Sequence, residues 1–149
     1  TSAGAEVATG VTSFADWKSL HFGNESDPAI IGDNADPDSD GITNLLEYAL
    51  GLEPLVASRT GLPRISVQSA SIGGPAYLTM QFTAPATVTD LDLVPQVSGD
   101  MVEWRTGSWN TVTVSDTTTD GLRTVVVRDA TPVSSSSRRF MRLQAQLVR

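Results

Sequence analysis

The chain has 149 residues, no cysteine and a formal net charge of −7, and 40% of its residues are hydrophobic. These values exclude a disulfide framework, a thiolate metal site and an intrinsically disordered chain. No apolar run approaches the roughly 20 residues that span a bilayer, and the arginines are scattered, so we expect neither membrane insertion nor nucleic-acid binding.

Negative charge is concentrated in the N-terminal part of the chain. Residues 1–57 hold ten acidic residues against the single base Lys18, for a net charge of −9, and the remainder has a net charge of +2. A local excess of carboxylates suits a hard cation such as Ca²⁺. Thr1–Gly10 lacks the charged and apolar regions of a signal peptide, so we expect residues 1–12 to be a linker or arm, with any export signal removed or lying upstream.

A small helical unit is predicted for residues 13–57. Ser13 is placed as a helix N-cap, so a first helix should begin at Phe14 and end at Gly23. Apolar residues four apart then predict a second short helix over about 43–50. Between the two helices lies the most informative segment of the sequence.

That segment runs from Asp36 to Glu47 as Asp-Pro-Asp-Ser-Asp-Gly-Ile-Thr-Asn-Leu-Leu-Glu. It matches the EF-hand calcium-loop pattern D-x-D/N-x-D/N-G-x5-E at every specified position. Ca²⁺ takes about six to eight oxygen ligands, so acidic residues at alternate positions converge on one ion, and Gly41 permits the sharp turn. The predicted ligands are Asp36, Asp38, Asp40, the backbone carbonyl of Ile42, Asn44 (directly or through water) and Glu47 as a bidentate carboxylate.

Two points about this loop stay open at the level of sequence. Asp33 and Asn34 precede it and are either extra ligands or turn residues. An Asp-rich, Gly-containing stretch can also be a solvated loop, although the spacing through Glu47 argues against that interpretation. If the loop does bind Ca²⁺, folding of residues 13–57 should depend on the ion, because four nearby carboxylates repel one another without it.

From Pro63 onward the apolar period is two, which predicts strands. Further strands are expected at 90–98, 101–105, 122–129 and 138–148, with Asp120-Gly121 as a hairpin turn. Pro95 marks an edge strand or a bulge. The residues that share a face by this spacing are Ile65, Val67, Leu78, Met80, Phe82, Val112 and Val114. The predicted fold is therefore mainly β, an antiparallel β-sandwich of about seven strands in residues 58–149, preceded by the helix–calcium loop–helix unit.

With these motifs in view, residues 14–55 resemble the dockerin or thrombospondin type 3-like calcium segment near the C-terminus of many exported bacterial proteins. The resemblance rests on Phe14-x-x-Trp17 and on the loop followed by Tyr48-Ala49-Leu50-Gly51. Residues 96–104 and 139–143 are similar to the β-domain that follows this segment in verrucomicrobial and planctomycete surface proteins. The resemblance implies a non-catalytic C-terminal module that is secreted or displayed on the cell surface, with the same six calcium ligands.

The sequence departs from dockerins in having one such loop instead of a duplicated pair, and Thr43 stands where paired EF-hands carry an aliphatic residue.

The sequence offers few residues suited to catalysis. His21 is the single histidine and is placed at a helix end, and nothing in the spacing of Asp90, Asp92 and Glu103 selects an acid–base pair. We therefore expect no enzymatic activity.

The leading hypothesis is a calcium-stabilised extracellular module that mediates attachment or assembly at the cell surface. A carbohydrate-binding module of a secreted enzyme is an alternative, for which Trp109 or Tyr77 would have to be exposed; Trp104 is expected in the core. A self-assembling filament or surface-layer subunit is another, using residues 1–12 or an open edge strand. The expected partners are thus calcium and either a glycan or further copies of the chain.

Overall fold

The computed structural model describes residues 13–135 and 138–148, so the predicted linker or arm at 1–12 lies outside the described residues. Within them the chain is mainly β, with six antiparallel strands in two sheets and few helices. The helices are α1 (Phe14–Phe22), α2 (Pro28–Ile31) and α3 (Asn44–Leu50), with a short 3₁₀ helix at Val133–Ser135. The strands are β1 (Arg64–Ser69), β2 (Ala76–Pro85), β3 (Leu91–Ser98), β4 (Thr111–Thr119), β5 (Leu122–Asp129) and β6 (Phe140–Leu147).

The two predicted helices are confirmed, and their ends follow from their caps. The Ser13 hydroxyl accepts a hydrogen bond from the N–H of Asp16 at 3.1 Å, which starts α1. Thr43 caps α3 in the same way, and Gly51 ends that helix with a left-handed φ of 76°. Helix α2 was not predicted, because its four residues are too few to show a helical period, but its Asp27 cap and Pro28 are typical of a helix start.

The strands form a four-stranded sheet in the order β1-β2-β5-β4 and a two-stranded sheet of β3 and β6. The Asp120-Gly121 hairpin is confirmed: it joins β4 to β5, and its φ values of 53° and 79° are those of a type I′ turn. Ile65 pairs with Met80, so their side chains share one face of the larger sheet, as the period of two predicted. For Val112 and Val114 the predicted face is wrong: Val112 pairs with Arg128, and both valines line a cavity on the opposite face.

The strand predicted at 101–105 is wrong, and the described residues form six strands where about seven were expected. Only Arg105 in this segment pairs with a strand, through an isolated bridge to Val97. The carboxylate of Asp100 instead accepts hydrogen bonds from the N–H groups of Val102 and Glu103, both at 2.9 Å. These local bonds take the backbone donors that a strand would have offered to a neighbour.

The chain contacts divide into two compact units. One comprises residues 13–61, 84–92 and 145–148, and aromatic rings fill its core: the ring centroids of Phe14 and Tyr48 lie 5.2 Å apart, and Trp17 is buried beside them. The other comprises residues 62–83 and 93–144, except the two undescribed positions. Its buried apolar residues are Met80, Phe82, Val97, Val125, Val127 and Met141.

A buried ion pair supports the second unit. Asp129 has no exposed surface, and its two carboxylate oxygens accept hydrogen bonds from Nε and Nη2 of Arg139 at 2.6 and 2.9 Å. One of these oxygens also accepts from the N–H of Thr131 at 3.0 Å. Such a bidentate pair satisfies both charges internally, and removing one partner leaves the other buried and unpaired.

We predict that Asp129→Asn lowers the free energy of unfolding by about 3–5 kcal/mol, because it leaves the Arg139 guanidinium without a counter-charge. Urea denaturation measures the change. The matched control is Glu103→Gln, which breaks the exposed pair of Glu103 with Arg105 and should change stability by less than about 1 kcal/mol. Equal effects of the two substitutions would contradict the prediction.

Candidate metal centre

The structure brings three of the predicted ligands together. Asp36, Asp38 and Asp40 are half-buried, and each offers one carboxylate oxygen that lies within 4.8 Å of the other two. Three like charges at such a separation repel one another unless a cation or a proton lies among them. An acidic cluster of this kind is common without an ion, so its meaning depends on the surrounding residues.

The loop backbone turns back on these carboxylates. Asp36 accepts a hydrogen bond from the N–H of Gly41 at 2.8 Å, and Asp40 accepts one from the N–H of Ile42 at 2.9 Å. The turn requires a φ of 89° at Gly41, where an added side chain would meet no atom within 4 Å. Gly41 is therefore needed for its backbone conformation and not for space.

Glu47 is the unusual residue of the site. It lies on α3 with no exposed surface, and neither of its carboxylate oxygens has a hydrogen-bond partner among the described residues. Burial, followed by the negative charges of Asp38, Asp40 and Asp36, raises the pKa of Glu47 to about 8. Glu47 lies outside the trio of mutually close oxygens, but the three aspartates act on it electrostatically.

The aspartates themselves differ in protonation. Burial and a hydrogen bond with Asp36 raise the pKa of Asp38 to about 6, and one oxygen of Asp38 is buried with no hydrogen-bond partner among the residues that the structure describes. For Asp40, burial acts in the same direction, but hydrogen bonds from the N–H groups of Ile42 and Ser58 outweigh it and lower the pKa. Within the loop, the pKa of Asp40 is therefore lowered, whereas the pKa values of Asp38 and Glu47 are raised.

Asn44 has a role that the sequence did not indicate. Its side chain is fully buried, and its amide nitrogen donates to the carbonyl oxygens of Ile30 and Gly32 at 2.7 and 2.9 Å. The amide therefore fastens α2 to the start of α3. Its Oδ1 has no partner among the described residues, so the oxygen predicted as a direct or water-mediated ligand is still unengaged.

The structure gives Asp33 and Asn34 no evident part in the candidate metal site. The Asp33 carboxylate forms an ion pair with Lys18 at 2.9 Å, and its backbone carbonyl accepts from the N–H of Leu45 at 3.0 Å. Asn34 is exposed. Asp33 is thus engaged in holding α1 and α3 against the loop entry, and its carboxylate already has a counter-charge.

The unpartnered buried atoms test whether the site fits a cation. Among the described residues, buried side-chain atoms without a hydrogen-bond partner are Arg128 Nη1 and four oxygens of the loop: Asp38 Oδ2, Asn44 Oδ1, Glu47 Oε1 and Glu47 Oε2. Buried polar atoms are nearly always paired in folded proteins. Four acceptor oxygens that lack donors in one twelve-residue segment match what a hard cation requires.

The other groups that the sequence singled out are elsewhere engaged or exposed. His21 lies 3.4 Å from Glu53, and Asp90 accepts from the N–H of Phe14 and from the hydroxyl of Tyr48. Trp104 is half-buried beneath the guanidinium of Arg142, at 4.1 Å. Trp109, whose position the sequence left open, is 92% exposed.

No protein-family model matches the chain, and comparisons with curated proteins and with solved structures gave no match either. The function of the site must therefore follow from its own chemistry. Of the helices in the described residues, none has the length and apolar character needed to cross a membrane.

The raised pKa of Glu47 predicts how stability without metal depends on pH. Because the folded-state pKa of about 8 exceeds the ordinary value of 4.5, the folded protein binds more protons than the unfolded chain between these values, and stability falls as pH rises through that range. Asp38 adds to the trend up to its pKa of about 6. We expect the melting temperature in chelator to decrease steadily from about pH 5 to pH 8.

The control is Glu47→Gln, which cannot ionise. In chelator it should melt above the original protein at about pH 8, and its melting temperature should vary less with pH. A chelator-treated protein whose stability increases between pH 5 and pH 8 would contradict the predicted sign.

Proposed function

We propose that residues 36–47 bind one Ca²⁺ and that the chain is a calcium-stabilised, non-catalytic extracellular module of attachment or assembly. The observation that carries the metal site is the buried Glu47 carboxylate, which has no hydrogen-bond partner within residues 13–135 and 138–148 and lies in the field of three aspartates. A buried carboxylate without a partner is costly, and a divalent cation would turn that cost into a favourable interaction.

The donor chemistry favours calcium over other metals. Every candidate ligand atom in the loop is an oxygen, which excludes the nitrogen and sulfur sets typical of zinc. Mg²⁺ prefers a rigid octahedron at about 2.0–2.1 Å and keeps several waters, whereas Ca²⁺ accepts more ligands with looser geometry.

The proposed ion would act on the whole helical unit through two residues. Glu47 belongs to α3, whose neighbouring residues Tyr48, Ala49 and Leu50 are buried in the aromatic core. Asn44 ties the same helix to α2. A bound cation would therefore remove the repulsion among the loop carboxylates next to residues that belong to the core. For this reason calcium should stabilise the folded state of the whole unit.

For the β-rich part, we propose that the two sheets pack face to face as a sandwich. One face of the larger sheet is buried and carries Met80, Phe82, Val125 and Val127. In the smaller sheet, Val97 and Met141 are buried. Strand β1 is an edge of the larger sheet, and all six of its residues are exposed. An exposed edge strand can pair with a strand from another chain, which supports a role in assembly.

Carbohydrate binding is the second candidate, and it rests on Trp109. An indole that is 92% exposed offers its ring face to a ligand, and aromatic rings stack on the apolar faces of sugars. Tyr77 is less suited, because the guanidinium of Arg128 already covers its ring at 4.3 Å.

We predict that millimolar calcium raises the melting temperature by about 10 °C relative to chelator. A ligand at about 1,000 times its Kd contributes about 4 kcal/mol, and each kcal/mol corresponds to about 2–4 °C in a chain of this size. Differential scanning calorimetry measures the shift. Asp38→Ala and Glu47→Gln should each remove most of it.

The matched control is Asp92→Asn, which removes an exposed carboxylate outside the loop and should keep the full calcium shift. Magnesium at the same concentration should give a smaller shift. Calcium that changes neither the melting temperature nor the pH dependence of stability would overturn the metal site, whatever the role of the β-rich part.

For the second candidate, we predict that Trp109→Ala abolishes glycan binding without lowering the melting temperature, because the side chain buries almost no surface. Screening on a glycan array, followed by titration of any hit, makes the measurement. Trp104→Ala serves as the comparison, since removal of that half-buried ring should lower stability. Absence of binding to every glycan would eliminate this candidate.

A further inference from the structure

A cavity of about 280 Å³ lies on the four-stranded sheet, and the calcium proposal does not use it. All of its walls belong to the second compact unit. All four strands of the sheet contribute lining residues. Those used in the argument below are Gln68, Thr79, Val112, Val114, Val126 and Arg128.

The cavity opens on the face opposite the buried one. Side chains alternate along a strand, so Thr79 of β2 points away from Met80 and Phe82, and Val126 and Arg128 of β5 point away from Val125 and Val127. A register shift between Thr113 and Ser115 lies at Val114, which is 57% exposed and joins the cavity wall. Three valines thus give this face an apolar floor.

Arg128 is the only charged residue among the described residues that line the cavity. Its guanidinium lies 4.3 Å from the centre of the Tyr77 ring, a stacked position that fixes its plane. Its Nη1 is buried and has no hydrogen-bond partner in the described part of the chain. By contrast, Arg105, Arg123 and Arg139 each pair with a carboxylate.

We propose that this cavity binds a small carboxylic acid with an apolar tail. The carboxylate would accept from the Arg128 guanidinium, and the tail would lie on Val112, Val114 and Val126. A guanidinium that lines the cavity and stacks on Tyr77 is complementary to a planar carboxylate, while the apolar floor disfavours a heavily hydrated phosphate. The volume is slightly below the usual range for ligand pockets, about 300–1,000 Å³, which limits the ligand to a small molecule.

The test uses hexanoate as the probe and hexan-1-ol as its uncharged counterpart. Titration of the complete chain, followed by isothermal calorimetry and by the NMR shifts of the Val126 and Val114 methyl groups, should give saturable binding of hexanoate. Binding of hexan-1-ol should be at least about tenfold weaker, because a hydrogen bond to a charged group is worth about a factor of ten or more.

Arg128→Met should weaken hexanoate binding by about tenfold or more and leave hexan-1-ol binding nearly unchanged. Arg128→Lys keeps the charge and covers the case in which the methionine variant fails to fold; it should bind with intermediate affinity, since lysine lacks the planar fork. The matched control is Arg64→Met, which removes an exposed arginine of β1 that does not line the cavity, and it should bind as the original protein does.

Three results would each overturn the proposal. They are no saturable binding of hexanoate, equal binding of hexanoate and hexan-1-ol, and hexanoate binding that Arg128→Met and Arg128→Lys both leave unchanged. None of them bears on the calcium loop, whose own test is the melting shift.

Discussion

The stability of the first compact unit depends on one unfavourable interaction, the burial of the Glu47 carboxylate with no hydrogen-bond partner in the described part of the chain. Glu47 has no exposed surface, and its charge is opposed by burial and by three aspartates. A chain that gained nothing from this arrangement would lose stability as pH rises from the ordinary pKa of 4.5 to the raised pKa of about 8. The arrangement is favourable only if a cation, or a proton, occupies the space between these oxygens.

The position of Glu47 in the chain makes the interaction matter beyond the loop. Thr43 caps α3 before it, and Gly51 ends the helix after it, so the side chain is fixed within a two-turn segment. The next residue, Tyr48, contacts Phe14 and Trp17, and its hydroxyl donates to Asp90, which also accepts from the N–H of Phe14. A change in the charge of Glu47 or in its ligand therefore affects the aromatic core through a single helical turn.

The features that sequence could predict are those encoded by local chemistry. The loop pattern fixes the order and spacing of Asp36, Asp38 and Asp40, because the ligands of one ion follow one another along the backbone. The helix caps and the Asp120-Gly121 hairpin are likewise determined by residues within one turn. Residues only a few positions apart are therefore sufficient to predict these elements.

The features that sequence missed depend on contacts between distant residues or on competition between local bonds. The amide of Asn44 bonds to Ile30 and Gly32 only because α2 folds back towards α3. At 101–105 the alternation suggested a strand, but the backbone N–H groups of Val102 and Glu103 donate to the Asp100 carboxylate instead of to a neighbouring strand. Stacking of Arg128 on Tyr77 joins residues on different strands, and no local pattern marks such a pair.

The same electrostatic rule distinguishes structural charges from candidate binding sites in this chain. The buried Asp129 has its own guanidinium, so its charge is balanced internally and it serves the fold. Glu47 is as deeply buried but has no internal cation among the described residues, and Arg128 presents a buried donor without an internal anion there. In a folded protein, a buried ionisable group whose counter-charge is not supplied by the chain is either neutralised by a shift of its pKa or balanced by a ligand of opposite charge. This reasoning underlies both of our proposals, a cation site among the acidic N-terminal residues and an anion site on the β-sheet.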